Sequence, residues 1–369
     1  MKITDITFTP LSIGKSLIRV QTDTGVEGWA EAPGNNRAMP GRNSAIFEAY
    51  LESIIKPTLI GENPLQIDRH WETLATGKED RAYKLPANVV GVIDVALWDL
   101  LGKETGLPVY TLMGGAARTT IPLYWSTGSG WKFTPEEMLD MVKKGYSMGF
   151  QAFKIRMDWM GWRQDTNPEK DYQMFKLVRE FLSDGQYLGF DANNGYSVST
   201  AIQQGRKFEE LGIDHFEEPL PNWNLAGLKQ VADALDVAVS AGEQDSYRWW
   251  FHQLTLLGDP DILQPDILNA GGPSEVKRIY ALATTWDKPI MPHSPQAGIN
   301  SMASLHTYAS VQNATRPHEF STEFSGSLED VADLYGDGVV PVKGEMHLSD
   351  KPGLGIELNQ SEIDRLIVE

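Results

Sequence analysis

The sequence predicts an α/β protein built around a (β/α)8 barrel of the TIM type, preceded by an α+β domain. Three observations predict this fold. The first third of the chain has the pattern of a hairpin followed by helices, the middle alternates short apolar strands with amphipathic helices, and the last residues return to strands and turns. We expect an α+β domain at 1–120, the barrel at 121–328, and a segment at 329–369 that returns to the first domain. An open, doubly wound sheet is the alternative to a barrel.

The α+β domain begins with a predicted β-hairpin. Residues 17–22 and 26–31 are rich in apolar side chains and flank the turn sequence Asp23-Thr24-Gly25. Polar residues punctuated by Gly and Pro predict a loop at 34–43. Helical periodicity then recurs in three segments, at 45–60, 64–75 and 87–104. Strands followed by helices make this an α+β unit.

The predicted barrel rests on eight short apolar segments that alternate with helical ones. The strands are predicted at 121–125, 152–156, 187–191, 215–217, 238–240, 262–264, 289–291 and 318–323. Amphipathic helices between them include 136–148, 169–182, 199–211 and 273–285. Eight strands alternating with helices are typical of a closed parallel barrel.

Composition excludes several classes of function. A formal net charge of −18 argues against a nucleic-acid partner, because phosphate contacts need clustered Lys and Arg. The chain has no cysteine, so disulfides and thiolate sites are excluded. No apolar stretch approaches the roughly 18 residues of a membrane span, so no membrane partner is expected. The first residues lack the apolar core of a secretory signal, and we expect a cytoplasmic enzyme.

Three acidic residues fall at the ends of consecutive predicted strands. Asp191, Glu217 and Glu243 follow one another at intervals of 26 residues, about one strand–helix unit each. A single acid at a strand end is commonly an ordinary polar residue or a helix cap. Three in register would meet at the carboxyl-terminal rim of a barrel, where barrel active sites lie. Such a set of oxygen ligands suits Mg²⁺, with Mn²⁺ as the alternative ion.

The next two strand ends carry a further aspartate and a histidine. Asp266 lies 23 residues after Glu243, and His293 lies 27 residues after Asp266. A histidine beside a carboxylate can act as a base that the carboxylate orients and makes more basic. The remaining six histidines lack this context and are predicted to be structural: His70, His215, His252, His306, His318 and His347.

Two cations alternate in the predicted strand 152–156. The side chains of Lys154 and Arg156 point to the same face of the strand. A cation buried inside a barrel is unfavourable unless an anion pairs with it. A substrate carboxylate is such an anion. Arg156 would serve as a carboxylate clamp, whereas Lys154 could be a cation or, with a depressed pKa, a base. Asn193, two residues after Asp191, is a candidate for substrate binding; the alternative is that it only turns the chain.

These residues stand among sequence blocks that resemble the mandelate racemase/muconate lactonizing enzyme branch of the enolase superfamily. The similarity extends over essentially the whole chain. The blocks are VALWDLLGKETGLPVYTLMGG at 95–115, FEEPL at 216–220, SAGEQ at 240–244, QPDILNAGG at 264–272, STEFSG at 321–326 and PGLGIEL at 352–358. The resemblance implies a barrel with an N-terminal capping domain, one Mg²⁺, a small-molecule carboxylate substrate and assembly into a homo-oligomer.

The resemblance also implies roles for individual residues. Asp191, Glu217 and Glu243 become the metal ligands, and Asp266 with His293 becomes the catalytic dyad. Lys154 and Arg156 occupy the strand that carries the family's lysine motif. Glu323 matches the glutamate of the last strand that hydrogen-bonds the enediolate, and Glu319 is the less favoured match. The loop over the pocket maps to 34–43 with 78–84 nearby, and its candidate substrate-binding residues are Arg37, Arg42 and Tyr83.

One departure from the family pattern bears on the reaction. Many members have Lys-x-Lys with the second lysine as a base, whereas this chain has Arg156. Racemisation needs a base on each face of the α-carbon, so a single dyad favours dehydration of a sugar acid, an aldonate or aldarate, to a 2-keto-3-deoxy acid. A racemase, epimerase or lactone cycloisomerase on the same scaffold is the alternative. Less favoured are a metal-independent glycoside hydrolase using Glu217 and Glu243, and a non-catalytic binding protein.

Overall fold

The computed structural model describes residues 1–32, 44–77, 84–157, 164–183, 185–323 and 325–368. Its strands are β1 (Ile3–Pro10), β2 (Ser16–Thr22), β3 (Glu27–Glu31), β4 (Thr120–Thr127), β5 (Ala152–Arg156), β6 (Tyr187–Asp191), β7 (His215–Glu217), β8 (Val239–Ala241), β9 (Ile262–Leu263), β10 (His318–Phe320) and β11 (Glu345–His347). Its α-helices are α1 (Ser44–Tyr50), α2 (Lys56–Leu59), α3 (Ile67–Thr76), α4 (Ala87–Thr105), α5 (Val109–Leu112), α6 (Pro135–Ser147), α7 (Pro168–Phe181), α8 (Val198–Glu210), α9 (Leu225–Ala234), α10 (Tyr247–Gln253), α11 (Pro273–Thr285), α12 (Ile299–Ala309), α13 (Leu328–Tyr335) and α14 (Gln360–Leu366).

Three short helical turns complete the secondary structure of the described residues. A π-turn at Leu51–Ile55 joins α1 to α2, a second at Leu254–Gly258 extends α10, and a 3₁₀ turn lies at Asp337–Val339. The predicted helices begin and end within three residues of the observed ones. Within the parts of the chain that the structure describes, no helix is both long and apolar enough to cross a membrane.

The N-terminal strands form an antiparallel sheet in the order β1-β2-β3. The predicted hairpin between β2 and β3 is confirmed, and its turn residue Gly25 has the left-handed φ of +82°. The sheet packs on α4, where Gly28 lies so close to the helix that a Cβ atom would come within 2.0 Å of the Ala96 carbonyl oxygen. A side chain at Gly28 would therefore force the sheet and the helix apart.

The second sheet has the strand order of a (β/α)8 barrel, because its last strand, β10, returns to pair with its first, β4; the alternative of an open, doubly wound sheet is therefore wrong. Parallel strands follow in the order β4, β5, β6, β7, β8 and β9, and β10 pairs with β4 at the other edge. The predicted strand at 289–291 contributes one bridge, between Ile290 and Leu263. It is this short because Pro289 and Pro292 have no backbone N–H to donate to a neighbouring strand.

The C-terminal residues contact both parts of the chain. β11 pairs antiparallel with the start of β4, with Met346 opposite Ile121. Farther on, the Leu354 N–H donates to Asp99 Oδ1 of α4, and Ile367 forms a bridge with Leu11 beside β1. The division into domains at 1–120, 121–328 and 329–369 stays a prediction.

A buried ionic cluster joins the N-terminal sheet to the barrel. The Lys15 ammonium donates to Glu31 Oε1 and to the Ala297 carbonyl oxygen, each at 2.8 Å. Tyr335 also donates its hydroxyl to Glu31, at 2.7 Å. The Asn300 N–H, in the first turn of α12, donates to the second carboxylate oxygen of Glu31 at 3.2 Å. Glu31 thus contacts the start of α12, and α12 follows the segment that carries His293. The ionic cluster of Lys15 and Glu31 therefore helps to position His293 at the rim of the barrel.

Replacing Glu31 with alanine should destabilise the protein. The variant leaves the Lys15 ammonium, which is 8% exposed, without its counter-charge. Breaking a buried ion pair in this way costs about 3–5 kcal/mol. The double variant K15M/E31A should lose less stability than E31A, because it buries no unpaired charge. Urea unfolding followed by circular dichroism measures both losses. An E31A protein within about 1 kcal/mol of wild type, or a double variant less stable than E31A, would contradict the assignment.

Candidate active site

Polar side chains gather where neighbouring barrel strands end. β5, β6 and β7 end at Arg156, Asp191 and Glu217, and these residues are register partners across the sheet. Glu243 lies two residues beyond β8, after Gly242, which has a φ of +123°. A Cβ atom on Gly242 would also lie 2.8 Å from the Phe251 ring, so glycine suits this turn sterically as well. The predicted convergence at one rim is present in the structure.

Asp191, Glu217 and Glu243 form a compact carboxylate cluster. One oxygen atom from each lies within 4.8 Å of the others. Burial raises the pKa of Asp191 well above its usual range, and the neighbouring Glu217 charge adds to this. Burial also raises the pKa of Glu243, against the attraction of His293. Burial opposes ionisation of Glu217 too, but Lys154 and His215 hold its pKa below the usual range.

The donor set fits a hard divalent cation. Carboxylate oxygens are the ligands that such ions prefer, and three of them converge here. Crowded, buried carboxylates repel one another, and a cation between them offsets that repulsion. Among the described residues, these three are the one group of His, Asp and Glu side chains with the spacing of a metal site.

Neighbouring donors fix two of the three carboxylates. The Asn193 backbone N–H donates to Asp191 Oδ1 at 2.7 Å, and the Asn193 side-chain amide donates to Oδ2 at 2.9 Å. Asn193 reaches back in this way because its backbone is left-handed, with a φ of 45°. Glu217 accepts from Lys154, from Gln264 Nε2 at 2.6 Å and from His215 Nε2 at 3.1 Å. The predicted contact between Asn193 and substrate stays a prediction.

Asp266 and His293 form a hydrogen-bonded pair beside the cluster. His293 Nδ1 lies 2.8 Å from Asp266 Oδ2, and Asp266 Oδ1 accepts the N–H groups of Leu268 and Asn269 at 2.8 Å each. With Nδ1–H donating to Asp266, the other nitrogen, Nε2, faces Glu243 Oε2 at 3.6 Å. Burial lowers the pKa of His293, but the charges around it prevail and raise the pKa to about 10.

The two cations of β5 have different anionic partners. Lys154 contacts Glu217, lies 3.0 Å from Glu319 Oε1 and 3.7 Å from Asp191 Oδ2. These anions raise the pKa of Lys154 well above its usual value even though burial opposes its charge. Arg156 instead pairs with Glu323 and donates its Nε–H to the Gly128 carbonyl oxygen at 3.1 Å. Lys154 therefore contacts the carboxylate cluster, whereas Arg156 forms a separate ion pair with Glu323.

The two glutamates at the end of the barrel sequence occupy different surroundings. Glu319 lies within β10, is buried, and accepts the Ser294 N–H at 2.7 Å, one residue from His293. Glu323 lies beyond β10 and accepts from Thr127 Oγ1 and the Gly128 N–H at 2.8 Å each. Glu319 is linked to the carboxylate cluster through Lys154, whereas Glu323 pairs with Arg156.

Several further site residues were not singled out by the sequence. His215 and Gln264 both donate to Glu217. They stand two residues before Glu217 and Asp266, and because side chains two residues apart on a strand point to the same face, this spacing could have placed them near the site. Glu218, the residue after Glu217, has a φ of 40° and accepts from the Asn194 side-chain amide at 2.7 Å and from the Gln244 side-chain amide at 2.9 Å. Arg37, Arg42 and Tyr83 lie outside the described residues, as does the predicted loop at 34–43.

Comparison with known proteins places this geometry in a family. A sequence profile described as "Mandelate racemase / muconate lactonizing enzyme, N-terminal domain" matches residues 12–114. A second, described as "Enolase C-terminal domain-like", matches residues 137–362. The chain is 31% identical to D-galactarolactone cycloisomerase of Agrobacterium fabrum, over 94% of this chain and 89% of that protein. It is 28% identical to arabinonate dehydratase of Saccharolobus solfataricus, over 91% of this chain and 86% of that protein.

A solved structure agrees with the fold. The mandelate racemase/muconate lactonizing protein from Paracoccus denitrificans PD1222, in complex with magnesium, superimposes with a TM-score of 0.87 at 32% identity. The match covers 99% of this chain and 96% of that one. A metal-bound protein of this fold accords with the carboxylate cluster as a site for a divalent cation.

Adding Mg²⁺ should lower the pKa of His293 from its value of about 10. An imidazole is protonated below its pKa, and a positive charge at Glu243 opposes the attraction that holds the proton. The neutral fraction at pH 8 should therefore rise. NMR of ¹⁵N-histidine-labelled protein, with the signal assigned by its loss in H293N, measures the titration. The variant E243Q should lower the pKa without any ion. A pKa unchanged by both treatments would contradict this account of the rim.

Proposed function

Because the chain belongs to the mandelate racemase/muconate lactonizing enzyme family of the enolase superfamily, we propose that it is a dehydratase of sugar acids. The substrate is an aldonate or aldarate, and the product is a 2-keto-3-deoxy acid. The observation that carries the proposal is the Asp266–His293 pair, whose Nε2 faces the carboxylate cluster at 3.6 Å. Relatives named as arabinonate, D-xylonate and D-galactonate dehydratases accord with it.

The cation proposed for Asp191, Glu217 and Glu243 is Mg²⁺, with Mn²⁺ as the alternative. When bound, it supplies positive charge beside the substrate carboxylate and so makes the neighbouring α-proton easier to remove. The absence of nitrogen and sulfur donors from the cluster favours these hard ions over zinc. Homo-oligomeric assembly and a cytoplasmic location stay predictions of the sequence.

His293 is the proposed base. Its Nε2 accepts the α-proton of the substrate, while Nδ1–H remains on Asp266, which holds the ring in one orientation and stabilises the imidazolium. The Asp266 carboxylate is itself held by two backbone N–H groups, so the pair is preorganised. If both groups leave from the same face, the imidazolium then gives the proton to the departing β-hydroxyl, which leaves as water. The resulting enol takes up a proton at the β-carbon and loses its hydroxyl proton to become the 2-keto-3-deoxy acid.

Lys154 and Glu319 are the proposed partners of the developing negative charge. Lys154 lies among three carboxylates that favour its charged form, so we assign it to the stabilisation of anions and not to proton abstraction. Glu319, beside both Lys154 and His293, is better placed than Glu323 for the role of the last-strand glutamate. Glu323 acts instead by fixing Arg156.

The pairing of Arg156 favours elimination over racemisation. A guanidinium stays protonated at working pH, and this one is bound to Glu323 and Gly128. Arg156, at the position where the family pattern has its second lysine, is thus held as a cation and does not serve as a base. One base suffices for loss of water, whereas inversion at the α-carbon needs a second.

Incubation with Mg²⁺ and a panel of aldonates and aldarates should yield a 2-keto acid from at least one of them, detected as its semicarbazone. The variant H293N should lower kcat by about 10²–10⁴-fold, the usual contribution of a general base. H252N, which alters an exposed histidine, is the matched control and should retain activity. Full activity of H293N would exclude the proposed base, and a panel without any keto acid would count against the reaction class.

Removal of metal separates the dehydratase from a glycoside hydrolase. EDTA should abolish activity and Mg²⁺ should restore it. Without the cation, the three carboxylates of the site repel the substrate carboxylate instead of binding it through a shared positive charge. D191N and E243Q should each remain inactive at Mg²⁺ concentrations that saturate the wild type. A hydrolase that uses Glu217 and Glu243 as its acid pair would stay active in EDTA and release a sugar from a glycoside.

Cycloisomerisation of a sugar lactone is the second candidate, favoured by the 31% identity to D-galactarolactone cycloisomerase. That reaction conserves mass, whereas dehydration removes one water. Mass spectrometry of the product distinguishes them directly. In D₂O both reactions can introduce deuterium at carbon, so isotope uptake alone identifies proton transfer and the product mass identifies the reaction.

A further inference from the structure

His215 lies in the barrel interior beneath the carboxylate cluster, and the proposed mechanism leaves it without a role. It is fully buried in β7, two residues before Glu217, so both side chains point into the barrel. Its Nε2 lies 3.1 Å from Glu217 Oε2, and its Nδ1 lies 2.9 Å from the Tyr187 hydroxyl. Both ring nitrogens are thus engaged, one of them by a carboxylate of the cluster.

Glu217 fixes the direction of these hydrogen bonds. A carboxylate only accepts, so His215 Nε2 carries a hydrogen and donates it to Glu217 Oε2. In a neutral imidazole the other nitrogen, Nδ1, is then an acceptor, and it faces the Tyr187 hydroxyl at 2.9 Å. That hydroxyl also accepts from Arg316 Nη1 at 3.5 Å and lies 3.7 Å from Met291 Sδ.

The barrel provides a fitted slot for this ring. A Cβ atom on Gly189 of β6 would lie 1.8 Å from His215 Cε1, so the imidazole occupies the space that a side chain would take. The Tyr187 ring is stacked on the imidazole, with centroids 5.5 Å apart and an interplanar angle of 29°. Held on these sides, the ring has little freedom to turn away from Glu217.

We propose that His215 is a positioning residue that orients Glu217 for the divalent cation. The inference rests on the proposed function, because it takes Glu217 to be a metal ligand. Glu217 Oε2 accepts from His215 and from Gln264, so two donors fix the plane of the carboxylate before an ion binds. Groups that hold a metal ligand in this way commonly raise metal affinity 10–100-fold.

Titration of EDTA-treated, dialysed protein with Mn²⁺, followed by calorimetry, tests the proposal without measuring activity. H215F fills the slot but has no donor, and should raise the Kd for Mn²⁺ about 10–100-fold. H215Q places an amide N–H near the position of Nε2 and should bind nearly as tightly as the wild type. H306F makes the same change at a buried histidine of α12 that contacts Tyr110, and should leave the Kd unchanged.

Two results would overturn the proposal while leaving the proposed function intact. One is an H215F protein that binds Mn²⁺ as tightly as the wild type, and the other is an H215Q protein that loses as much affinity as H215F. Wild-type protein that binds no Mn²⁺ would instead count against the proposed function itself.

A measurement on the wild type keeps the proposal testable should H215F fail to fold. NMR of ¹⁵N-histidine-labelled protein, with the His215 signal assigned from its loss in H215Q, should show a neutral ring protonated at Nε2. That signal should shift when Mg²⁺ is added, because Glu217 then shares its charge with the ion. A ring protonated at Nδ1, or a signal that does not respond to Mg²⁺, would overturn the proposal.

Discussion

The structure depends on holding mutually repelling carboxylates together in a buried place. One oxygen atom from each of Asp191, Glu217 and Glu243 lies within 4.8 Å of the others at the barrel rim. Asp191 and Glu217 are buried and Glu243 is half-buried, so water screens little of their repulsion. Hydrogen bonds from neighbouring strands and turns offset part of this repulsion. Asn193 donates to Asp191, and Glu217 accepts from Lys154, Gln264 and His215. A divalent cation adds the remaining positive charge, which links metal binding to the electrostatic balance of the whole rim.

The N-terminal part of the chain contributes to this rim by supporting the segments that carry the dyad. Asp94 of α4 accepts the Ser274 N–H at 2.7 Å, and the Trp71 indole donates to the Gly271 carbonyl oxygen at 2.7 Å; both contacts hold the turn that follows Asp266. Glu31 bonds to the first turn of α12, which follows the His293 segment. The Asp266–His293 geometry therefore depends on how the N-terminal sheet and helices dock on the barrel.

The sequence predicts those parts of the fold and site that follow a regular period. Strand–helix alternation predicts the barrel, and the recurrence of acids at strand ends predicts the carboxylate cluster. Features set by contacts between distant residues are not predictable in this way. The strand at 289–291 is reduced to one bridge by Pro289 and Pro292. The proposed role of Glu319, rather than Glu323, beside the substrate follows from their ion pairs: Lys154 contacts Glu319, whereas Arg156 pairs with Glu323. His215 has no sequence signal beyond its two-residue distance from Glu217, and its slot at Gly189 exists only in the folded barrel.

The central claim is that one divalent cation binds between Asp191, Glu217 and Glu243. A crystal structure of the Mn²⁺-treated protein, with diffraction data collected at the manganese absorption edge, tests this claim most directly. The account predicts a single strong anomalous peak per chain, with oxygen atoms of all three carboxylates as ligands. An anomalous peak bound by other residues, or none at this rim in protein saturated with Mn²⁺, would contradict it.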